Sequence, residues 1–413
     1  MSLDSTSLST TNTVPNQASP RVLDSSVRMT VTAEATRSKP TVLFIVDQLT
    51  ELGGGERILL QLAEEVTSND MRSLVVTFRT RVDPAALQKG QEIVLLPMSS
   101  CFSPKGISVA YKLWKLIRRE RVAVVHTFFE TSDIFGVAVA RLAGVKSIIS
   151  SRRDMGILRN SRHQRAYRIV APLFSSILAV SDRVRDWHRN ADGLREDQIR
   201  TIHNGISLDR FDRPVDSLAL RNQLHLSPNC RLVTTIANIN AWKGLDTFLA
   251  AAALIFAEHP GTEFCIAGEW TDMAVVAQLQ QQAKDLGLTS IVHLLGRVED
   301  VVGLLKSSDV FALLSQSEGF PNVVLEAMAA RVAVVATAVG GTPEAITDGA
   351  DGFLVQYGDA EGAAAKISEL LSDKALSSRL TTAARERVEK DFSVEQMARK
   401  HLDLYRSLLV ANT

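Results

Sequence analysis

At 413 residues the chain exceeds the roughly 150 of an average domain, which implies two or three domains. Its 46% apolar and 22% charged residues are the ordinary make-up of a globular protein. Forty-six Lys and Arg balance forty-six Asp and Glu, so attraction of the whole molecule to nucleic acid is excluded as an organising force. The charge is nevertheless uneven: residues 40–205 carry 24 basic against 17 acidic side chains, and residues 206–413 carry 18 against 26. Two halves of opposite sign are expected to meet different partners.

Residues 1–39 are rich in Ser and Thr and lack an apolar core segment, so they are expected to form a disordered tail rather than a signal peptide. From there, β-branched runs at 41–49, 73–79, 92–98, 123–129, 147–152 and 177–181 read as strands. Amphipathic stretches at 56–68, 107–120 and 132–143 read as helices. Near-continuous apolar strands with helices between them predict a parallel sheet covered on both faces. The polar, Pro214-containing stretch 209–216 reads as a linker. The alternation then restarts with strands at 231–239, 263–268, 291–295, 310–315, 332–337 and 352–356.

The reading is therefore α/β, with two Rossmann-like, doubly wound parallel-sheet domains facing each other across a cleft. The first is placed at 40–212 and the second at 213–393, with a last helix at 394–413. Cys101, Cys230 and Cys265 show neither disulfide nor metal spacing, which points to a reducing compartment. The longest apolar run, 248–257, is far short of the ~20 residues that cross a bilayer. A cytoplasmic protein is expected.

The stretch most informative about chemistry is Ser315-Gln-Ser-Glu-Gly-Phe-Pro-Asn-Val-Val-Leu-Glu326. A strand runs into a loop, and Pro321 suits the first turn of the helix that follows. Free backbone N–H groups at such a helix start attract anions and hydroxyls. Glu318 lies in the loop and Glu326 about 7.5 Å along the helix. Two carboxylates so spaced can grip two sugars of one sugar nucleotide, since each accepts paired hydroxyl hydrogen bonds.

This segment resembles the Glu-x7-Glu signature of glycosyltransferase family 4, retaining enzymes of the GT-B fold. Further motifs carry the same resemblance across most of residues 41–409: Leu52-Gly-Gly-Gly-Glu56, Ile202-His-Asn-Gly205, Trp242-Lys-Gly244 and Gly340-Gly-Thr-Pro-Glu344. It implies that the last helix crosses back onto the N-terminal domain. It also implies that Glu326 holds the ribose hydroxyls and Glu318 the donor sugar, helped by the backbone of Gly319, Phe320, Pro321 and Asn322. Lys243 would neutralise the departing diphosphate, as a leaving anion needs a cation already in place.

The family's Arg a few residues before that Lys is absent. Asn238 or Asn240 stands there, and Asn brings no charge. Either another base substitutes, Arg297 being the candidate, or leaving-group stabilisation is weaker. Gly53, Gly54 and Gly55 open a helix after the first strand and suit close approach to a phosphate or sugar. His126 ends an apolar strand; as an isolated residue it reads as structural, and the resemblance puts it beside donor sugar and acceptor. Arg152 and Arg153 suit an acidic or phosphate-bearing acceptor, or a solvated loop.

The function expected is transfer of a sugar from a UDP-sugar or GDP-sugar to a hydroxyl of a glycan or lipid-linked acceptor, in cell-surface polysaccharide synthesis by family habit. The sugar transferred would be a hexose or N-acetylhexosamine. The resemblance implies a same-face route with no required cofactor or metal and no nucleic-acid partner. The basic amphipathic helix at 107–120 either covers the sheet or rests on the inner face of a membrane. A non-catalytic sugar-nucleotide binder and a sugar-nucleotide epimerase are the alternatives.

Overall fold

The computed structural model describes residues 39–49, 53–80, 91–98, 103–157, 159–227 and 229–411. The tail 1–38, Leu52 and Cys101 lie outside the described residues. Thirteen strands form among the described residues. β1 (Thr41–Val46), β2 (Arg72–Thr77), β3 (Glu92–Leu95), β4 (Val122–Phe128), β5 (Ser147–Arg152), β6 (Ser176–Ala179) and β7 (Ile199–Thr201) make one sheet. β8 (Arg231–Ile236), β9 (Thr262–Ala267), β10 (Val292–Gly296), β11 (Val310–Leu313), β12 (Ala333–Thr337) and β13 (Phe353–Val355) make the other.

Every strand pairing is parallel, in the orders β3-β2-β1-β4-β5-β6-β7 and β10-β9-β8-β11-β12-β13. Parallel sheets need cover on both faces, and the strands show it: all six residues of β1 and all six of β9 are buried. The strand order reverses between β1 and β4 in one sheet and between β8 and β11 in the other. Ligands of such sheets bind outside the carboxyl ends of the strands at that reversal. The loops after β1, β4, β8 and β11 are therefore the ones to inspect.

Three details differ from the periodicity reading. β7 is only three residues long and carries the exposed Arg200, too short a signal to read alone. The helix expected at 132–143 begins as a π-turn, Ser132–Gly136, and becomes α-helical only at Val137–Leu142. Its first residues are anchored from outside, since Asp47 accepts from the amides of Thr131 and Ser132, and buried Asp133 pairs with Arg152. The expected linker holds a helical turn, Asp209–Asp212, because Phe211 buries its ring and Asp212 pairs with Arg385 at 2.9 Å.

The final helix, Val394–Val410, packs on the N-terminal sheet beside the Gly54–Ser68 helix. Its Met397, Ala398, Leu402, Leu404 and Tyr405 join one apolar cluster with β1 residues Val42, Phe44 and Val46. Ile206 donates to the Phe392 carbonyl and accepts from Val394, fixing where the chain re-enters the first half. Two buried histidines meet at this contact, His126 of β4 and His401 of the helix itself. His126 meets the Tyr405 hydroxyl at 2.7 Å through Nδ1, and His401 Nδ1 donates to the Met397 carbonyl at 2.8 Å. Burial holds His126 well below the ordinary histidine range and His401 at about 4.

Both are thus neutral when folded, whereas the unfolded chain protonates them near 6.5. Below that value the unfolded state binds more protons, so stability falls as pH drops from about 6.5 towards 4. The His401 share is at most about 3 kcal/mol. The melting temperature should fall through this window, and His401→Gln should flatten the slope; an unchanged slope would separate the two.

Candidate functional site

The loops at both reversal points converge on a cavity of about 400 Å³ between the sheets. From the N-terminal half come Gly53, Gly54, Gly55, Arg57, Phe129, Arg153 and Arg210. From the C-terminal half come Asn238, Lys243, Glu269, Arg297, Glu318, Gly319, Phe320, Pro321, Asn322 and Glu326. Thirteen of the sixteen residues expected from sequence therefore line one cavity.

Helix Asn322–Ala329 begins directly after Pro321, which sits at the N-cap in extended conformation rather than in the first turn. Glu326, five residues along, is 8% exposed. Its Oε1 lies 3.8 Å from Arg57 Nη1 and 3.7 Å from Arg210 Nη1. Burial pushes the Glu326 carboxyl above the ordinary range, and Arg210 and Arg57 pull it partly back. Lys243 ends a 3₁₀ turn, Ala241–Lys243, and its Nζ donates to Glu318 Oε1 at 2.8 Å. Gly244 enables that turn: it holds φ of +61°, and a Cβ there would lie 1.9 Å from the Leu314 carbonyl oxygen.

The glycine pairs serve space more than flexibility. Gly53 has an ordinary φ of −67°, and a Cβ on Gly55 would meet the Phe129 ring at 2.6 Å. A Cβ on Gly319 would lie 1.9 Å from the Arg153 carbonyl, and one on Gly341 2.3 Å from the Gly319 carbonyl. At Gly340, whose φ is +53°, a Cβ would come within 1.6 Å of the Glu318 carbonyl. Gly340 and Gly341 thus lie beneath the Glu318–Gly319 loop and hold its shape.

Side chains clamp the two halves around this contact. Ser181 Oγ donates to the Gly319 carbonyl at 2.8 Å, Asn204 Nδ2 to Asn322 Oδ1 at 2.6 Å, and Asn322 Nδ2 to the Gly54 carbonyl at 3.0 Å. Glu344 accepts from the amides of Asp182 and Arg183, the exposed N-terminus of helix Asp182–Asp192, and from His203 Nε2 at 2.8 Å. Those bonds outweigh burial and hold its carboxyl below the usual range.

Three expected residues stand elsewhere. His126 is fully buried, its second ring nitrogen 2.9 Å from Ser151 Oγ, so it is a core histidine that fastens the last helix instead of reaching the cleft. Arg152 is 2% exposed and spent on Asp133, with Asp192 at 3.7 Å and the Tyr167 ring centroid at 4.0 Å. It lines a second cavity rather than this one. Asn240 caps the Lys243 turn through its carbonyl and does not line the cleft, whereas Asn238 does, its side chain accepting from the Glu269 amide. Arg297 reaches the rim but is paired with Glu269 at 2.9 Å.

Sequence reading missed Arg57 and Arg210. Arg57 follows the glycine motif in the first turn of the Gly54–Ser68 helix, and Arg210 lies in the helical turn of the expected linker; only the fold shows that they face Glu326. The second cavity, about 520 Å³, is built by the N-terminal half and includes Arg79, Glu130, Arg152 and Arg159. It shares Phe129, Arg153 and Asp154 with the first.

Two family models match in tandem, that of Glycosyltransferase Family 4 over residues 52–210 and that of Glycosyl transferases group 1 over residues 216–387. N-acetyl-alpha-D-glucosaminyl L-malate synthase of Bacillus anthracis is 31% identical over 211 residues, 51% of this chain and 54% of that protein, so the chain spans about half of its length. D-inositol 3-phosphate glycosyltransferase of Streptomyces avermitilis is 27% identical over 77% of this chain and 71% of that one. UDP-Gal:alpha-D-GlcNAc-diphosphoundecaprenol alpha-1,3-galactosyltransferase of Escherichia coli is 25% identical over 74% and 81%. The fold matches that of Anabaena HepE in complex with UDP and glucose at a TM-score of 0.78, with 23% identity, covering 89% of this chain and 100% of that one.

Gly319→Ala should lower stability by roughly 2 kcal/mol, because its methyl meets fixed backbone. Gly54→Ala, which meets only the Asn322 carboxamide at 3.1 Å, should cost much less. Equal denaturation midpoints for the two variants would contradict the packing described.

Proposed function

The chain belongs to glycosyltransferase family 4 and has its two-domain GT-B fold, and from that premise we propose that it is a retaining transferase acting on a UDP-sugar and a hydroxyl acceptor that carries negative charge. The observation that carries the reading is the convergence of Lys243, Glu318 and buried Glu326 on one cavity walled by both halves. Glu326 binds the ribose hydroxyls, Lys243 the diphosphate, and Glu318 the donor sugar. Arg57, Arg153, Arg210 and Arg297 also line that cavity, so the charge lost with Asn238 is offset by cations from other elements. This favours catalysis over donor binding alone.

The acceptor reaches the donor through the second cavity, which meets the first at Arg153. The acceptors named for the relatives, malate, inositol 3-phosphate and a lipid diphosphate, are all anionic, which accords with Arg153 at that junction. The acceptor oxygen bonds the anomeric carbon on the face from which phosphate departs, and its proton passes to the leaving diphosphate. No resident metal takes part. The Escherichia coli relative's UDP-Gal and the UDP in the Anabaena structure support uridine as the donor nucleoside.

A thermal-shift screen of nucleoside diphosphates and their sugars should show UDP compounds raising the melting temperature. Glu326→Ala should weaken UDP binding and turnover together, by roughly tenfold or more, since it removes hydrogen bonds from a charged acceptor. Glu318→Ala should mainly lower turnover. Unchanged affinity and rate in both would sink the assignment, and an inverted anomeric product, read by NMR coupling constants, would refute retention. Tight UDP-sugar binding with neither transfer nor hydrolysis across anionic acceptors would leave a binding protein.

A further inference from the structure

Asn204 sits in the turn after β7, is 4% exposed, and lines the cleft. Its backbone is held where the chain crosses back: a Cβ on the neighbouring Gly205 would lie 2.2 Å from the Ser393 carbonyl oxygen, at the start of the last helix. The Asn204 side chain bonds to both halves. Its Oδ1 accepts from Arg153 Nη2 at 2.9 Å, and its Nδ2 donates to Asn322 Oδ1 at 2.6 Å and to the Phe320 carbonyl at 3.4 Å. Asn322 in turn donates from Nδ2 to the Gly54 carbonyl at 3.0 Å.

The direction of this chain of bonds is set by its two ends. Desolvation pushes the Arg153 guanidinium down to about 10, so at neutral pH it is still a cation with donors alone. Asn204 must therefore turn its oxygen to Arg153, which leaves its nitrogen for the Asn322 side. Asn322 must then accept through its oxygen and send its nitrogen to Gly54, whose carbonyl can only accept. Neither amide can flip without leaving its links unmade. Fully satisfied networks of this kind rigidify the groups that they join.

The ends of the chain stand at different places. Gly54 and Asn322 line the first cavity, Asn322 opening the helix that carries Glu326, whereas Arg153 lines both cavities. We propose that Asn204 is a positioning residue through which the state of the donor cleft sets the aim of the Arg153 guanidinium at the junction of the two cavities. A donor held between the Gly54 loop and the Asn322 helix start tightens the chain, and Arg153 is fixed with it. By linkage, an anion held on Arg153 strengthens donor binding in return. The inference rests on the reading that acceptor and donor meet at Arg153.

The test is the rate at which phenylglyoxal modifies Arg153 in the full chain, mapped by peptide mass spectrometry relative to exposed Arg195, with and without UDP. The reagent closes on both Nη atoms, and Asn204 holds one of them. Asn204→Ala should speed the Arg153 reaction roughly tenfold, the effect of losing one hydrogen bond to a charged group. UDP should slow it roughly fivefold in the wild type and hardly at all in this variant. Asn204→Asp keeps an acceptor for Arg153 and loses the donor to Asn322, so it should keep the slow rate without UDP and lose the response to UDP. An unchanged rate in Asn204→Ala without UDP would overturn the hold of Asn204 on Arg153. Equal UDP protection in the wild type and either variant would mean that UDP merely shields Arg153, and would overturn the coupling. The melting temperature with UDP, read on the same samples, reports whether the cleft is filled. No shift in the wild type would count against the donor reading, and the rates without UDP would still decide whether Asn204 holds Arg153. A shift in every sample with equal protection would overturn this inference alone.

Discussion

The cleft depends on two lengths of backbone meeting with no side chain between them. Gly319 lies against the Arg153 carbonyl, and Gly340 and Gly341 lie against the Glu318–Gly319 backbone, all at distances that a single methyl would violate. Close packing makes such contacts discrete, because interiors do not stretch to admit extra atoms. Around them, Ser181, Asn204, Asn322 and Glu344 join the halves by hydrogen bonds. The glycines of separate motifs are thus one device, and the loop bearing Glu318 inherits its position from it.

The electrostatics of the cavity follow from the same assembly. Five cations and four carboxylates line it, drawn from both halves. The overall segregation into a basic first half and an acidic second half does not describe this site, where Glu326 of the acidic half is held between Arg57 and Arg210 of the segments before β8. A carboxyl in so buried a place stays useful only because charge faces it, for burial alone favours the neutral acid. Lys243 is positioned in turn by Glu318, so cation and carboxylate stand side by side in the cleft.

The histidine of β4 shows how a strand's geometry can overrule a motif. Alternation along the strand sends the His126 side chain to the face covered by the last helix, where Phe44, Phe128 and Tyr405 surround it. That helix must be docked for the pocket to exist, so the residue couples the chain's end to the centre of the first sheet. Arg152 and Asp133 form a comparable internal pair, supporting the loops that frame the second cavity.

Strand and helix type, the doubling of the α/β pattern, and the Glu318–Glu326, Lys243 and glycine positions were all legible in the sequence. Each rests on local signals: β-branched runs, turn residues and fixed spacing. The short β7, the π-turn at Ser132–Gly136 and the helical turn in the expected linker were not, because contacts with distant residues such as Asp47, Arg152 and Arg385 decide them. Nor could local pattern tell Arg57 and Arg210, which face Glu326, from His126 and Arg152, which turn inward. Sequence by itself determined which chemistry the chain carries; only the tertiary structure decided which side chains face the cleft. The reason is physical: periodicity specifies a face of one element, whereas burial and charge pairing depend on what the rest of the chain lays against that face.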